Sequence, residues 1–206
     1  AVTALLFVTA FSAGAQLTAS GAFASAPNSI FPLLDRNTRL DMIDFFNSGS
    51  SSPSRNALYG SSRILSLSPK KMEIEMTSAS KAEIMILKAG NDSVIALVST
   101  VMTPTPDSKV NFYLSDWATD ITGKMFAAPQ LDDWLTEAGH KNRDMVEAMV
   151  PFVLASYSFD PENGNLVLTS HVEEFLTPEV YAEISDYMVK SLTYRLSGGK
   201  YVKSQK

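Results

Sequence analysis

The amino-acid sequence predicts an α+β fold, a mostly antiparallel sheet with helices packed on one face. Three observations carry that prediction. Apolar and polar residues alternate with a period of two between Ile64 and Trp117. Stretches with helical spacing stand before and after this block instead of between its strands. Runs of strands interrupted by a few helices, without regular strand-helix alternation, argue against a parallel, doubly wound sheet. A helix followed by hairpins occurs twice, over 29–117 and 131–203, which permits two similar helix-plus-sheet lobes inside a single domain spanning 29–206. No residue pattern repeats between the two halves.

The 206 residues are 45% hydrophobic and 19% charged. Such a chain can bury about two-thirds of its unfolded surface. A formal net charge of -5 gives duplex nucleic acid no electrostatic reason to bind.

The first residues, "AVTALLFVTAFSAGAQ", are uncharged and apolar over 1–11. Ala13, Gly14 and Ala15 then give the small-x-small pattern that a signal peptidase accepts before Gln16. Residues 1–15 are therefore expected to be a signal peptide whose own start is missing, since the basic region and initiator Met do not precede it. The apolar run is too short for a membrane span, which needs about 20 residues, so none is expected in the mature chain. Cysteine is absent, which leaves neither a lipid-anchor site nor a disulfide framework. A periplasmic or secreted bacterial protein is the expected location.

Residues 16–28 are small and polar, and a flexible segment is expected there. "SIFPLL" gives a short helical signal. "NTRLDMIDFFNSG", 37–49, gives a longer one, with Thr38 at a cap position and Gly49 where a C-terminal cap belongs. A Ser, Gly and Pro loop over 47–63 follows. Five strands come next: "ILSLS", "KKMEIEM", "KAEIMILK", "SVIALVSTVM" and "KVNFYLSDW". The run 94–102 is apolar on both faces and is expected to be the central, doubly covered strand. "LDDWLTEAG" and "NRDMVEAMVPFV" read as helical, with Pro151 ending the second. "LASYSF", the turn "DPENG" and "NLVLTSHVEEF" form the clearest hairpin. Thr177 and Pro178 open the helix "PEVYAEISDYMVK", and "SLTYRL" with "KYVK" makes the last hairpin.

Metal and cofactor chemistry finds little support. His140 and His171 have no His or Cys three or four residues away. His171 falls on the strand side of Val167 and Thr169, as a half-exposed strand histidine. "DPENGN" lacks the alternating acids of a calcium loop. No metal and no cofactor are expected. Three S-x-x-K matches, at Ser68, Ser78 and Ser197, lie at strand ends or turns, where Lys is not carried back to Ser. A serine could be combined with His171 and an acid, but no G-x-S-x-G elbow supports the set.

Asp41 and Asp44 sit about 60 degrees apart on a helix, opposite Leu40, Met42, Ile43 and Phe46. Paired acid-base catalysis wants one carboxyl in an apolar pocket, whereas both of these read as solvated. Arg39 falls inside the apolar sector, so a structural clamp is expected, its guanidinium held by Asp35 or by a loop carbonyl. Tyr113, Trp117, Trp134 and Tyr157 are the candidate binding rings, with core and edge packing the competing account.

"FPLLDRNTRLDMIDFFNSG", "SRILSLSPKKMEIEM", "DSVIALVSTV", "DSKVNFYLSDW" and "LDDWL", in that order, resemble a family of exported Bacteroidales proteins, domain of unknown function 3256. The resemblance covers nearly all of the chain after residue 15, and "RLDMIDFFNSG" and "FYLSDW" are its most specific parts. It implies a bacterial envelope location but no catalytic residue. Within that bacterial group, "DSV" at 92–94 fits an O-glycosylation pattern, which marks Ser93; a hairpin turn accounts for the same residues. The functional expectation is a non-catalytic binding module, not an enzyme, for a protein, peptide or glycan of the envelope. The alternative is an envelope hydrolase or carbohydrate-active protein using carboxylates such as Asp41, Asp44, Asp116 or Glu173.

Overall fold

Strands β1 (Ser54–Arg55), β2 (Ser61–Leu67), β3 (Lys71–Thr77), β4 (Ser80–Ala89), β5 (Asp92–Val101) and β6 (Asp107–Leu114) join in chain order into one six-stranded antiparallel sheet. The computed structural model describes residues 16–50, 52–90 and 92–204; the expected signal peptide at 1–15 lies outside them. The period of two places successive residues on opposite faces. Along β3, Met72, Ile74 and Met76 are buried while Glu73 and Glu75 are partly exposed.

β4 and β5 are buried on both sides. Met85, Leu87, Val94, Ala96 and Val98 enter one core, and Ile84, Ile86, Ile95 and Leu97 enter another. β5 is doubly covered as the apolar run 94–102 predicts, and it pairs with β4 and β6.

The second sheet has the order β10-β9-β8-β7, from β7 (Ala155–Phe159), β8 (Leu166–Ser170), β9 (Ser191–Ser197) and β10 (Lys200–Lys203). It packs on the face that carries Phe112, whose ring meets Phe159 edge-on with centroids 6.3 Å apart and lies 5.4 Å from Tyr201. Helices α3 (Thr122–Met125), α4 (Glu137–Lys141), α5 (Arg143–Met149), α6 (Val172–Phe175) and α7 (Pro178–Ile184), with short 3-10 turns at Leu131–Trp134 and Ser185–Tyr187, complete this layer. The opposite face of the large sheet carries α1 (Ala19–Ser25) and α2 (Arg36–Asn47).

The fold is α+β, and two finer expectations change. The segments 29–117 and 131–203 are not similar lobes: one supplies six strands and the other four, and the two sheets bury each other's apolar faces in one core. Helices α1 and α2 cover one face of the large sheet, as expected, and the smaller sheet closes the other. The segment 16–28 is not loose. Thr18 caps α1 through its hydroxyl, and Ala19, Ala22 and Phe23 have no exposed surface. Small side chains let this short helix lie close to the sheet, with the Ala19 N–H on the carbonyl of Pro69 at 2.9 Å. Small, polar composition concealed a packing role.

Locally, "SIFPLL" forms turns instead of a helix. α2 begins one turn earlier than expected, because Asp35 and not Thr38 caps it: Oδ1 accepts the Thr38 N–H at 2.8 Å. Gly49, at φ +74°, follows the helix, its N–H on the Phe46 carbonyl and that of Ser50 on the Phe45 carbonyl, the paired bonds of a Schellman end. The stretch "HVEEF" does not continue β8. His171 leaves the strand with φ -115° and ψ 22° and starts α6.

Candidate functional site

The four candidate rings do not form a surface. Trp117 is 4% exposed, and its indole Nε1–H donates to the Ala22 carbonyl at 3.0 Å. Its ring meets Phe31 edge-on at 6.2 Å and lies 5.3 Å from Tyr113. Trp134 is 2% exposed and belongs to the core between the sheets. Tyr113 and Tyr157 are half-buried, and burial raises both phenols above their usual range, helped by the charges of Asp120 and Asp107 respectively. Packing therefore claims Trp117 and Trp134, because indole rings bury large apolar areas and each has core around it. Tyr157 also lines the groove at the seam between the sheets, and an edge of Trp134 reaches a further concavity that Tyr157 shares.

Arg39 lies in the apolar sector of α2, where its side chain is enclosed. It is wholly buried, with Nη1 donating to the Leu34 carbonyl at 3.0 Å and Nη2 to that of Ala26. Its guanidinium carbon stands 5.9 Å from the ring centroids of both Phe23 and Phe31. Loop carbonyls hold it; the Asp35 side chain is committed to the helix cap. The clamp thus ties α2 to the end of α1.

Asp41, Asp44, Asp116 and Glu173 are all exposed. Ser93 is half-buried near the start of β5, opposite Lys88. Among the described residues no group of three or more His, Cys, Asp or Glu side chains comes together, so no metal ligands can be named.

Two open concavities deserve chemical description. The first, about 450 Å³, lies between α2 and β2. Phe45, Phe46, Met42 and Leu65 supply apolar walls, and Arg63 a cation. Phe45 and Leu65 are 41% and 38% exposed, unusual for large apolar side chains beside a core. Leu65 is turned out by a bulge: the β2–β3 register shifts between Ile64 and Ser66, leaving it without a partner on β3. β1 pairs only with Ser61 and Ser62, so among the described residues the outer edge of β2 beyond them has no neighbouring strand.

The second, about 340 Å³, lies at the seam between the sheets, where Ser156, Ser158 and His171 meet Lys81, Glu83 and Thr100. β7 is an edge strand, and its outward N–H groups are satisfied by side chains of the large sheet. Ala155 donates to Asp107 at 3.3 Å, Tyr157 to Ser108 at 3.1 Å and Phe159 to Glu83 at 2.7 Å. Lys71 lies between Glu73 at 3.0 Å and Glu83 at 3.1 Å and donates to the Phe159 carbonyl at 2.8 Å. Burial pushes the Glu83 carboxyl up, while the Phe159, Lys71 and Ser158 contacts oppose the shift. The sequence concealed this seam: Glu83 is one polar residue in a doubly buried strand, and Ser158 and Phe159 lie more than 70 residues away.

The family described as "Protein of unknown function (DUF3256)" matches the chain over residues 10–201. Among curated proteins the chain has no match. Among solved structures it is similar to a domain of an uncharacterized protein from Porphyromonas gingivalis W83, with a TM-score of 0.77 and 21% identity. The similarity covers 91% of this chain and 98% of that one. It is a likeness of fold.

Proposed function

The chain belongs to the DUF3256 family, and from that premise we propose that it is an exported envelope protein that binds an extended peptide segment of a protein partner. The observation that carries this reading is the concavity between α2 and β2. An extended peptide can add to the open edge of β2, with main-chain bonds giving affinity and alternate side chains giving specificity. Phe45 and Leu65 offer an apolar pocket for one such side chain, and Arg63, half exposed and paired with Glu75 at 3.0 Å, favours an acidic neighbour. The described lining of the concavity is Met42, Phe45, Phe46, Ile64 and Leu65 with Arg63 and small polar residues, a surface suited to contact with a peptide. Its α2 wall comes from "RLDMIDFFNSG", one of the two stretches that carry the family resemblance most specifically.

None of the described helices is long and apolar enough to cross a membrane. The export reading rests on residues 1–15 and is tested by fractionation of cells that carry the full gene, which should place the protein outside the cytoplasm.

The binding reading is tested by selecting peptides from a displayed library on the pure protein, then titrating the selected peptide calorimetrically. Phe45→Asp and Leu65→Asp should each weaken binding at least about 10-fold, the cost of unpairing an apolar anchor. A selected peptide that binds both variants as tightly as the parent sinks the proposal.

A further inference from the structure

Ser156 Oγ lies 2.8 Å from His171 Nε2, and His171 Nδ1 lies 2.9 Å from Glu174 Oε1. Topology makes this alignment. Ser156 pairs with Thr169 on β8, so His171, two residues on, is its diagonal neighbour; the turn into α6 then places Glu174 one helical turn beyond the imidazole. An ionised carboxylate can only accept, so in the neutral imidazole Nδ1 carries the proton and Nε2 accepts from the serine hydroxyl. Nucleophile, base and orienting acid are within hydrogen-bond reach in the right sequence. Ser156 and His171 both line the seam concavity of about 340 Å³, so a substrate carbonyl has room to approach.

We propose that Ser156, His171 and Glu174 form a serine esterase site, separate from the peptide groove and independent of it, that removes a short acyl group from a polar alcohol such as a sugar hydroxyl. The volume sits near the lower end of small-molecule sites, which suits a monosaccharide-sized ester. Glu73, Lys81 and Thr100 give the lining polar and charged groups for hydroxyls.

In acylation the Ser156 oxygen bonds to the ester carbonyl carbon and its proton passes to His171 Nε2. The carbon–alkoxy bond then breaks, and His171 returns that proton to the departing alcohol. In deacylation water attacks the acyl-serine and yields its proton through His171; the carboxylic acid leaves and the serine is restored. Esters are the substrate class instead of amides because transition-state stabilisation is limited. Ala155, Tyr157 and Phe159 have committed their outward N–H groups to Asp107, Ser108 and Glu83, and Lys81 is the one cation among the described residues lining the concavity that could face a developing oxyanion.

The test uses the purified chain with a fluorophosphonate probe and with 4-nitrophenyl acetate. The expected result is a phosphonyl adduct on the peptide containing Ser156, located by mass spectrometry, which requires no variant. Hydrolysis should fall about 100-fold or more in Ser156→Ala and His171→Gln, and about 10-fold or more in Glu174→Gln. Thermal unfolding of each variant reports that the fold persists. An adduct on another serine, no adduct on the folded parent chain, or hydrolysis undiminished in a folded Ser156→Ala chain would overturn the proposal.

Discussion

The backbone N–H of Phe159 donates to the Glu83 carboxylate at 2.7 Å, joining the edge of the small sheet to the middle of the large one across 76 residues. Ser158 donates to the other oxygen of the same carboxylate at 2.8 Å, and Lys71 supplies the counter-charge. An edge strand with free N–H groups can template further pairing. Here the seam consumes them.

Glu83→Ala leaves the Lys71 ammonium and the Phe159 N–H without this partner where both ion-pair side chains are only 11% and 10% exposed. It should cost about 3 kcal/mol, the scale of breaking a buried pair. Urea unfolding measures it, and the double variant with Lys71→Ala should cost less than the sum of the singles.

The same carboxyl gives a pH signature. Its folded-state pKa lies above the ordinary 4.5, chiefly through burial. The folded state therefore holds the proton more tightly than the unfolded one. The Glu83 contribution is fully present below about 4.5 and is lost as pH rises through the raised folded value. Glu83→Gln does not titrate there, so the gap in unfolding free energy between parent and variant should narrow as pH rises above about 4.5. A widening gap contradicts the assignment.

Arg39→Met keeps an apolar stem but leaves the Leu34 and Ala26 carbonyls without their donors, and removes the cation between Phe23 and Phe31. A loss of about 2 kcal/mol is expected. Limited proteolysis should then cut near residue 26 sooner than in the parent chain.

Trp117→Phe deletes the indole N–H that holds the Ala22 carbonyl. It should lower stability by about 1 to 2 kcal/mol. Hydrogen exchange should show faster opening of α1, while the second sheet keeps its protection.

Gly139 is required by contact. A Cβ there would stand 2.1 Å from the Tyr187 carbonyl oxygen, where α4 passes the 3-10 turn. Gly139→Ala should cost about 2 kcal/mol or more. Thermal unfolding checks it, with Gly123→Ala, which meets nothing within 4 Å, as the comparison.

The sequence by itself determined the class of fold, the five strands between Ile64 and Trp117, the hairpins near the C-terminus and the solvated face of Asp41 and Asp44. It also marked Arg39 as a residue needing a partner. Each of these follows from periodicity or from local turn chemistry, which act within a few residues. The tertiary structure decided the rest. Small residues at 19–26 became a buried helix because Arg39, Phe31 and Trp117 close around them. The two indole rings went to the core because the second sheet covers one face of β4 and β5 while α1 and α2 cover the other. Ser156, His171 and Glu174 came together because β7 pairs with β8 in one register, and Glu83 met Phe159 because the second sheet crosses the first. Contacts between residues tens of positions apart leave no spacing in the sequence to read, since they depend on how two sheets stack and not on how either one is built.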